Sequence, residues 1–351
     1  MSLSRPSKFP LLKLPWLCIK CVLHNSDLVD IIFFATISNR TRRIVQHSNY
    51  PLKEIDVHPI GRCHRICVAE MTGELEYRIF WYIKHHTRGN GVPLVLKRNS
   101  PSVLTKSSFD PDKGHYLESY SADDLDALKM GIEFMIDLFG CTVRYIAIPG
   151  NKLAELVRLG ISSVELLHIT EAEPIYEPVN IADLKCLLET IKVIDRYIFH
   201  FKVPNDFYCD PRIFQCRTLC FDCDNSADWV TLELLCQFDV AQLYFWHHRF
   251  SKEDIVSYVT YWFNSENRKL EFLFVSFEDP VSQEDFKIDH LNPMPFCEKR
   301  RNRCPIAERW KDTDMSSGMD ILRHDGLLAT LFVEPDSIVF YIWHKRFPDT
   351  L

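Results

Sequence analysis

Hydrophobic residues along the chain change their spacing several times, and each spacing predicts a different kind of element. Residues 9–48 carry apolar positions at helical intervals and predict a compact helical segment. Residues 65–84 form two β-rich runs around a glycine turn, which predicts a hairpin within a connecting region at 49–115. The polar residues 1–8 predict a disordered leader. Residues 86–114, with their Pro, Gly, Ser and Asn, predict a loop.

Strand and helix patterns alternate over the rest of the chain, residues 116–351. Strands are predicted to begin near 142, 163, 193, 217, 240 and 270, with a helical pattern before most of them. Such spacing is typical of an irregular β/α solenoid, similar to a leucine-rich-repeat protein. The charged, Pro-containing residues 278–318 predict a long loop, and Asp325-Gly326 predicts the turn of a terminal β-hairpin at 319–347. The predicted fold class is therefore a mixed α+β or α/β repeat, with flanking hairpins.

The first predicted helix, Leu14–Leu23, is unusual because it is apolar on every side. Eight of its ten residues are apolar, and Pro15 suits the first turn, where its missing N–H costs nothing. A helix that is apolar all round must be covered all round. A segment of about 40 residues is marginal for building such a cover alone. Either the rest of the chain or a partner protein must complete it.

The residues of this segment resemble a known motif. Phe9-Pro10-Leu11-Leu12-Lys13-Leu14-Pro15, the apolar helix, and then Ser38-Asn39-Arg40-Thr41-Arg42-Arg43-Ile44-Val45 resemble an F-box of the large nematode set. The sequence departs from many F-boxes at Leu17, where they carry Glu, and at Thr41, where they carry an aromatic residue. The resemblance implies docking on the Skp-type adaptor of an SCF ubiquitin ligase, and through it on a cullin. By position, the implied adaptor-binding residues are Leu14, Pro15, Ile19, Val22, Leu23, Ser38 and Arg40.

A second resemblance lies in the distal half of the chain. Trp229–Leu232, Leu243–Ser251, Tyr261–Phe263 and Leu270–Leu273 are similar to the type-2 F-box-associated domain of the same nematode proteins. Asp320–Gly326, Ala329-Thr330 and Phe340–Trp343 resemble the end of that region. The two resemblances together imply a substrate-recognition subunit of an SCF-type E3 ligase that captures an unknown target protein. The alternative is a solenoid-type protein-binding scaffold unconnected to ubiquitin, with the first helices as a plain cap.

Strand alternation predicts where a target would bind. Tyr244 and Trp246 would share one face of the sheet with Phe272 and Phe274 on the neighbouring strand, with His248 beside them. Exposed aromatic clusters are typical binding hot spots. The alternative is that the 278–318 loop or the terminal hairpin covers these rings.

Composition and charge indicate which partners and which cellular compartment to expect. The chain has 351 residues, is 46% hydrophobic and has a net charge of −7, which indicates a folded protein and disfavours nucleic acid as a partner. No apolar run reaches the roughly 18 residues that would span a bilayer. Thirteen Cys without a secretion signal are typical of reduced thiols. We therefore expect a cytoplasmic or nuclear protein without a membrane partner.

Motifs for catalysis and metal binding are missing or weak. The sequence has no nucleophile elbow, phosphate-binding loop, dinucleotide fingerprint or zinc-protease motif, so we expect neither an enzyme nor a cofactor. Cys216, Cys220 and Cys223 with His247 or His248 are the one alternative for zinc, and no metal is expected. The basic cluster Lys299–Arg303 is typical of a solvated loop, with a nuclear-import or nucleic-acid patch as the alternative.

Overall fold

The structure is a computed structural model of the chain, and it divides into two compact units, residues 1–146 and 147–351. It describes ten ranges: 11–60, 63–72, 74–86, 91–96, 102–111, 114–171, 179–224, 226–246, 249–303 and 313–345. The predicted leader at 1–8 lies outside these residues. The proposed divisions after residues 48 and 115 stay predictions.

The first unit combines three short helices with a mixed sheet and one long helix. The strands follow the order β7-β1-β2-β3-β6-β5-β4. Neighbours are antiparallel except in the pairs β1–β7 and β3–β6. Its elements are α1 (Trp16–His24), α2 (Leu28–Thr36), α3 (Asn39–His47), β1 (Glu54–His58), β2 (Cys63–Thr72), β3 (Glu74–His85), β4 (Val92–Leu94), β5 (Val103–Asp110), β6 (Gly114–Ser121), α4 (Asp124–Phe139) and β7 (Thr142–Pro149), the last crossing the boundary between the units.

Two predictions for this region have different outcomes. The hairpin at 65–84 is confirmed, since β2 and β3 pair antiparallel over ten positions. The loop at 86–114 is wrong, because β4 and β5 lie within it. The degree of burial alternates along β5, although its sequence does not alternate, and such a strand can pair on a sheet with one solvated face despite its turn-like composition.

The second unit continues the alternation of strands and helices and ends in antiparallel strands. Its strand order is β13-β14-β15-β12-β11-β10-β9-β8. Strands β8 to β12 are parallel, and β12–β15, β14–β15 and β13–β14 are antiparallel. Its elements are α5 (Leu153–Leu159), β8 (Ser163–Thr170), α6 (Ile181–Thr190), β9 (Lys192–Phe199), β10 (Thr218–Phe221), α7 (Leu232–Leu235), β11 (Gln242–Phe245), α8 (Lys252–Asn264), β12 (Phe272–Ser276), β13 (Met319–Leu322), β14 (Leu328–Glu334) and β15 (Ser337–Trp343).

The predicted solenoid is wrong, although the strands lie where the pattern placed them. The six predicted strands begin within two residues of their expected starts. They do not form a stack of equal repeats, however. Among the described residues no α-helix separates β9 from β10, and α7 has only four residues. Antiparallel strands extend the sheet past β12, because the unpaired edge of β12 finds its hydrogen bonds on β15. The body is therefore dominated by mixed sheet.

One face of the parallel strands forms the core of the second unit. Phe199, Phe221 and Phe245 occupy the same position on three neighbouring strands, and their rings stack with centroids 5.2 Å and 5.1 Å apart. Trp262 of α8 packs edge-on against Phe340 of β15 at 5.1 Å.

Across the residues that the structure describes, no helix is both long and apolar enough to cross a membrane.

Candidate functional site

The three N-terminal helices owe their boundaries to local capping. Pro15 precedes α1, Asp27 accepts a hydrogen bond from the Val29 amide at 2.8 Å to start α2, and Ser38 starts α3. The Ser38 hydroxyl accepts from the Thr41 amide at 3.2 Å, and the Thr41 hydroxyl accepts from the Ser38 amide at 3.0 Å. This reciprocal capping box satisfies two N–H groups at once. Thr41 is buried, so its hydroxyl makes this capping contact inside the segment.

Only one side of α1 is buried. Ile19 and Leu23 point inward with the apolar residues of α2, while Leu17, Cys18, Cys21 and Val22 are exposed. At 100° per residue these four side chains occupy one continuous arc opposite Ile19 and Leu23. We call them the outer face of α1. Leu17 is 76% exposed, which is unusual for a leucine in a helix with three apolar neighbours on the same arc.

A groove runs beside this outer face, between α1 and α3. It has a volume of about 760 Å³ and is open to solvent. Its lining combines an aromatic ring, an aliphatic side chain and several polar groups: Trp16, Asn39, Arg40, Arg43, Ile44 and His47. Ile37, at the end of α2, is a further apolar residue, 72% exposed. The segment therefore presents an apolar arc and an adjoining groove with a basic rim.

The residues predicted to bind the adaptor separate into two groups. Pro15, Val22 and Arg40 are exposed, and Leu14 is half-buried. Ile19 and Leu23 are buried in the segment itself, so their role is to hold α1 in place. Ser38 is exposed, but its side chain caps α3.

Sequence reasoning missed Trp16, Leu17 and Ile37 as surface residues. In a helix that is apolar all round, the pattern does not tell which side faces inward, and that side was fixed only by packing on α2. Lys20 and His24 lie beside Leu17 on the helix circumference, and these two polar residues were a weak indication that Leu17 faces solvent.

The predicted aromatic patch forms, but it is mostly covered. Tyr244 lies 5.0 Å from Phe272 and Trp246 lies 4.3 Å from Phe274, as ring centroids. The expected exposure of the two phenylalanines is wrong, since they are 0% and 1% exposed. Val339 and Tyr341 lie beside them on β15, the neighbouring strand of the same sheet, and Trp343, Leu328 of β14 and Met315 belong to the same buried cluster. The terminal antiparallel strands therefore extend this apolar face of the sheet, and Met315 of the 278–318 segment packs against it. Tyr244 and Trp246 stay partly exposed, and His248 lies outside the described residues.

The basic cluster Lys299–Arg303 is partly drawn into the same core. Arg300 is 4% exposed and forms a bidentate ion pair with Asp320, at 2.7 Å and 2.8 Å. Its guanidinium also lies over the rings of Phe296 and Trp343. Because these contacts hold the Arg300 guanidinium inside the core, Arg300 does not contribute to a surface patch that could bind phosphates.

Of the three distal cysteines, Cys216 is buried, and Cys220 and Cys223 are half-buried. Desolvation raises the pKa of all three thiols to about 12, which keeps them protonated at neutral pH. Among the residues that the structure describes, no group of three or more His, Cys, Asp or Glu side chains is arranged to hold a metal ion.

Comparison with known proteins supports the distal resemblance. Residues 212–275 match the model of a family described as F-box associated, which confirms the predicted relationship over that segment. Two uncharacterized proteins of Caenorhabditis elegans are each 28% identical to the chain, over 131 and 132 residues, or 35% of its length. These matches span only 30% of the length of each relative. No solved structure matches the chain.

Proposed function

We propose that this chain, whose residues 212–275 match the F-box-associated family, is the substrate-recognition subunit of an SCF-type E3 ubiquitin ligase. In this proposal the helices α1 to α3 form the F-box and dock on a Skp-type adaptor. The second unit, which contains the matched segment, holds a target protein. The chain itself performs no chemistry. It accelerates ubiquitin transfer by keeping the target close to the conjugating enzyme.

The outer face of α1 is the observation that carries the proposal. Leu17, Val22 and the thiols of Cys18 and Cys21 form an apolar arc that stays exposed, whereas Ile19 and Leu23 on the other side of α1 are buried. A contiguous apolar surface on a folded protein favours a protein partner, since its burial removes apolar area from water. A three-helix segment with this surface, in the same chain as an F-box-associated segment, is what adaptor docking requires.

The target-binding surface is less sharply defined. Tyr244 and Trp246 are partly exposed beside the buried rings of Phe272 and Phe274 on β12. We propose that they contribute to target binding, since half-buried aromatic side chains give large contact area at low entropic cost.

Thiol footprinting tests the docking proposal directly. Four cysteines of the described chain are exposed: Cys18 and Cys21 on the outer face of α1, and Cys186 and Cys297 elsewhere. In a co-purified complex with the Skp-type adaptor, we expect Cys18 and Cys21 to be protected from a maleimide. Cys186 and Cys297 should stay reactive and serve as internal controls. Equal labelling of all four thiols in the presence of saturating adaptor would refute the proposed docking face.

A matched pair of substitutions gives a second test. Leu17→Asp places a charge in the apolar arc and should abolish co-purification with the adaptor. Ile194→Asp changes another apolar residue, 55% exposed on β9 in the second unit, and should leave co-purification unchanged. Because both side chains are exposed, neither change should unfold the chain, and circular dichroism checks this.

A further inference from the structure

Helix α1 carries two cysteines three positions apart, and both are exposed to solvent. Cys18 and Cys21 are free thiols. At 100° per residue they occupy the middle of the outer face of α1, with Leu17 on one flank and Val22 on the other. Both side chains lean towards the N-terminal end of the helix, as all helical side chains do. The two sulfur atoms therefore lie on one surface, separated by about one turn of the helix.

The spacing of the two cysteines decides which chemistry they can share. Residues i and i+3 of an α-helix have Cβ atoms about 5–6 Å apart. A disulfide requires a Cβ–Cβ distance of about 3.5–4.5 Å, so a direct S–S bond would have to deform the first turn of α1. An ion between the sulfur atoms spans a longer gap, because two metal–thiolate bonds of about 2.3 Å allow the sulfurs to lie up to about 4.6 Å apart. The helix as it stands therefore suits a bridged pair better than a disulfide.

A neighbouring side chain supports the sulfur of Cys21. The side-chain amide of Asn25, one turn further along, donates to the Cys21 carbonyl at 2.8 Å and to the Cys21 sulfur at 3.8 Å. A hydrogen-bond donor in this position stabilises a charged sulfur and holds its orientation, as the outer partners of metal ligands do.

A second pair with the same sequence spacing, Cys220 and Cys223, lacks these properties. Both thiols are half-buried, and desolvation raises the pKa of each to about 12. A cysteine must lose its proton before it binds a metal, so desolvated thiols are poor ligands. Close spacing and exposure coincide in α1 and not in this second pair.

We propose that Cys18 and Cys21 form a two-coordinate site for a soft monovalent cation of the Cu(I) class. Each thiol releases its proton to solvent, and the two thiolates bind the ion from opposite sides in a nearly linear S–Cu–S arrangement. Thiolates are the ligands that Cu(I) prefers. A structural zinc ion needs four ligands, and the described residues contain no group of three or more His, Cys, Asp or Glu side chains arranged for it.

A competition titration of the full-length chain tests the site. The chain is reduced and kept free of oxygen, and Cu(I) is added together with the coloured chelator bicinchoninate. We expect each chain to take one Cu(I) ion from the chelator. Cys18→Ser and Cys21→Ser should each weaken this binding by about 100-fold or more, because the ion then loses its second intramolecular ligand. Cys186→Ser removes an exposed single thiol on α6 and should leave the binding unchanged.

A relocated thiol separates the spacing of the pair from the number of thiols. Cys21→Ser combined with Lys20→Cys keeps two cysteines on α1 but turns them about 200° apart around the helix. This double variant should bind Cu(I) as weakly as Cys21→Ser does. Binding as tight as that of the unmodified chain would overturn the proposal. Circular dichroism should be the same for all variants, which excludes unfolding as the cause of weak binding.

The coordination of the ion gives an independent measurement. X-ray absorption of the copper-loaded chain should show two sulfur neighbours, and three or more ligands would contradict a two-coordinate site. Dimerisation of the chain by Cu(I) in sedimentation would mean that the ion joins thiols of two copies, which also overturns the proposal. Because these experiments use the chain without an adaptor, their result does not depend on the proposed function.

Discussion

Arg42 on α3 and Asp137 near the end of α4 form a forked ion pair, in which both Nε and Nη2 of the guanidinium donate to the same carboxylate oxygen, at 3.0 Å and 2.7 Å. The Nη1 group donates to the Leu96 carbonyl at 3.0 Å, and the guanidinium lies 5.0 Å from the centroid of the Phe134 ring. Gln46 donates to the same Asp137 carboxylate at 3.0 Å. The helical segment is therefore built into the first unit and is not a separate module on a linker.

This attachment predicts a measurable coupling between α3 and α4. Arg42→Ala and Asp137→Ala should each lower the free energy of unfolding by about 1–2 kcal/mol. Each substitution removes hydrogen bonds at a partly exposed site and leaves the remaining side chain without them. The double substitution should cost less than the two single effects added together. Urea unfolding measures all three. Arg43→Ala is the control and should change stability little, because none of the described residues forms an ion pair with this adjacent arginine. If the effects of the two single substitutions add strictly in the double substitution, Arg42 and Asp137 do not couple α3 to α4.

The buried pair of Arg300 and Asp320 should be far more costly to break. Asp320 also accepts a hydrogen bond from the Thr330 hydroxyl at 2.6 Å, and that hydroxyl accepts from the Trp343 indole at 2.7 Å. Asp320→Ala would leave the Arg300 charge buried without its partner, at a cost of about 3–5 kcal/mol. Denaturant unfolding of the full chain should show the loss. Asp239→Ala removes a carboxylate, 72% exposed, from an ion pair with Lys269 on the surface, and it should have little effect.

The covered aromatic rings lead to a third prediction. Phe274→Ala should destabilise the chain by about 3–5 kcal/mol, since it opens a cavity in the buried cluster that this ring forms with Val339 and Met315. Tyr208→Ala, at an exposed ring, should be nearly neutral. Thermal unfolding compares the two. Wild-type stability in Phe274→Ala would show that the ring is not packed as the structure places it.

The sequence predicted local elements well and long-range pairing poorly. The strands β7 to β12 were located because apolar periodicity is a property of a few neighbouring residues. The pairing of β12 with β15 joins Phe272 to Tyr341, which are far apart in the sequence with β13 and β14 between them, and no local pattern reports it. The solenoid prediction was wrong for this reason.

The errors at the candidate site have a similar origin. Phe272-Leu273-Phe274-Val275 is a continuous apolar run, which is typical of a strand buried on both faces. Alternation was nevertheless used to assign Phe272 and Phe274 to the surface. At α1, by contrast, the apolar run gave no basis for choosing a face. The exposed position of Leu17 depends on how α1 packs on α2, which is a tertiary property.

Glu118 on β6 leads to a prediction about acid stability. Burial alone would raise the pKa of this carboxyl group, but hydrogen bonds from Lys106, Lys84 and Tyr120 outweigh burial and lower the pKa to about 2. The side chain is 9% exposed, and Tyr120 donates to it at 3.0 Å. In the unfolded chain the ordinary pKa of 4.5 applies. The group is therefore ionised more readily in the folded state, and its stabilising effect is fully present above pH 4.5.

As pH falls from about 4.5 towards 2, the unfolded chain takes up a proton at this group before the folded chain does, so stability should fall. We expect a loss of about 1–2 kcal/mol from this group, allowing for solvent screening of the two half-exposed lysines. Urea unfolding across this pH range measures it. Glu118→Gln should be less stable at neutral pH and should flatten the decline, whereas Glu253→Gln, at the exposed start of α8, should leave the decline unchanged. An identical pH profile for Glu118→Gln and the unmodified chain would mean that the lysines do not hold this carboxylate in its charged form.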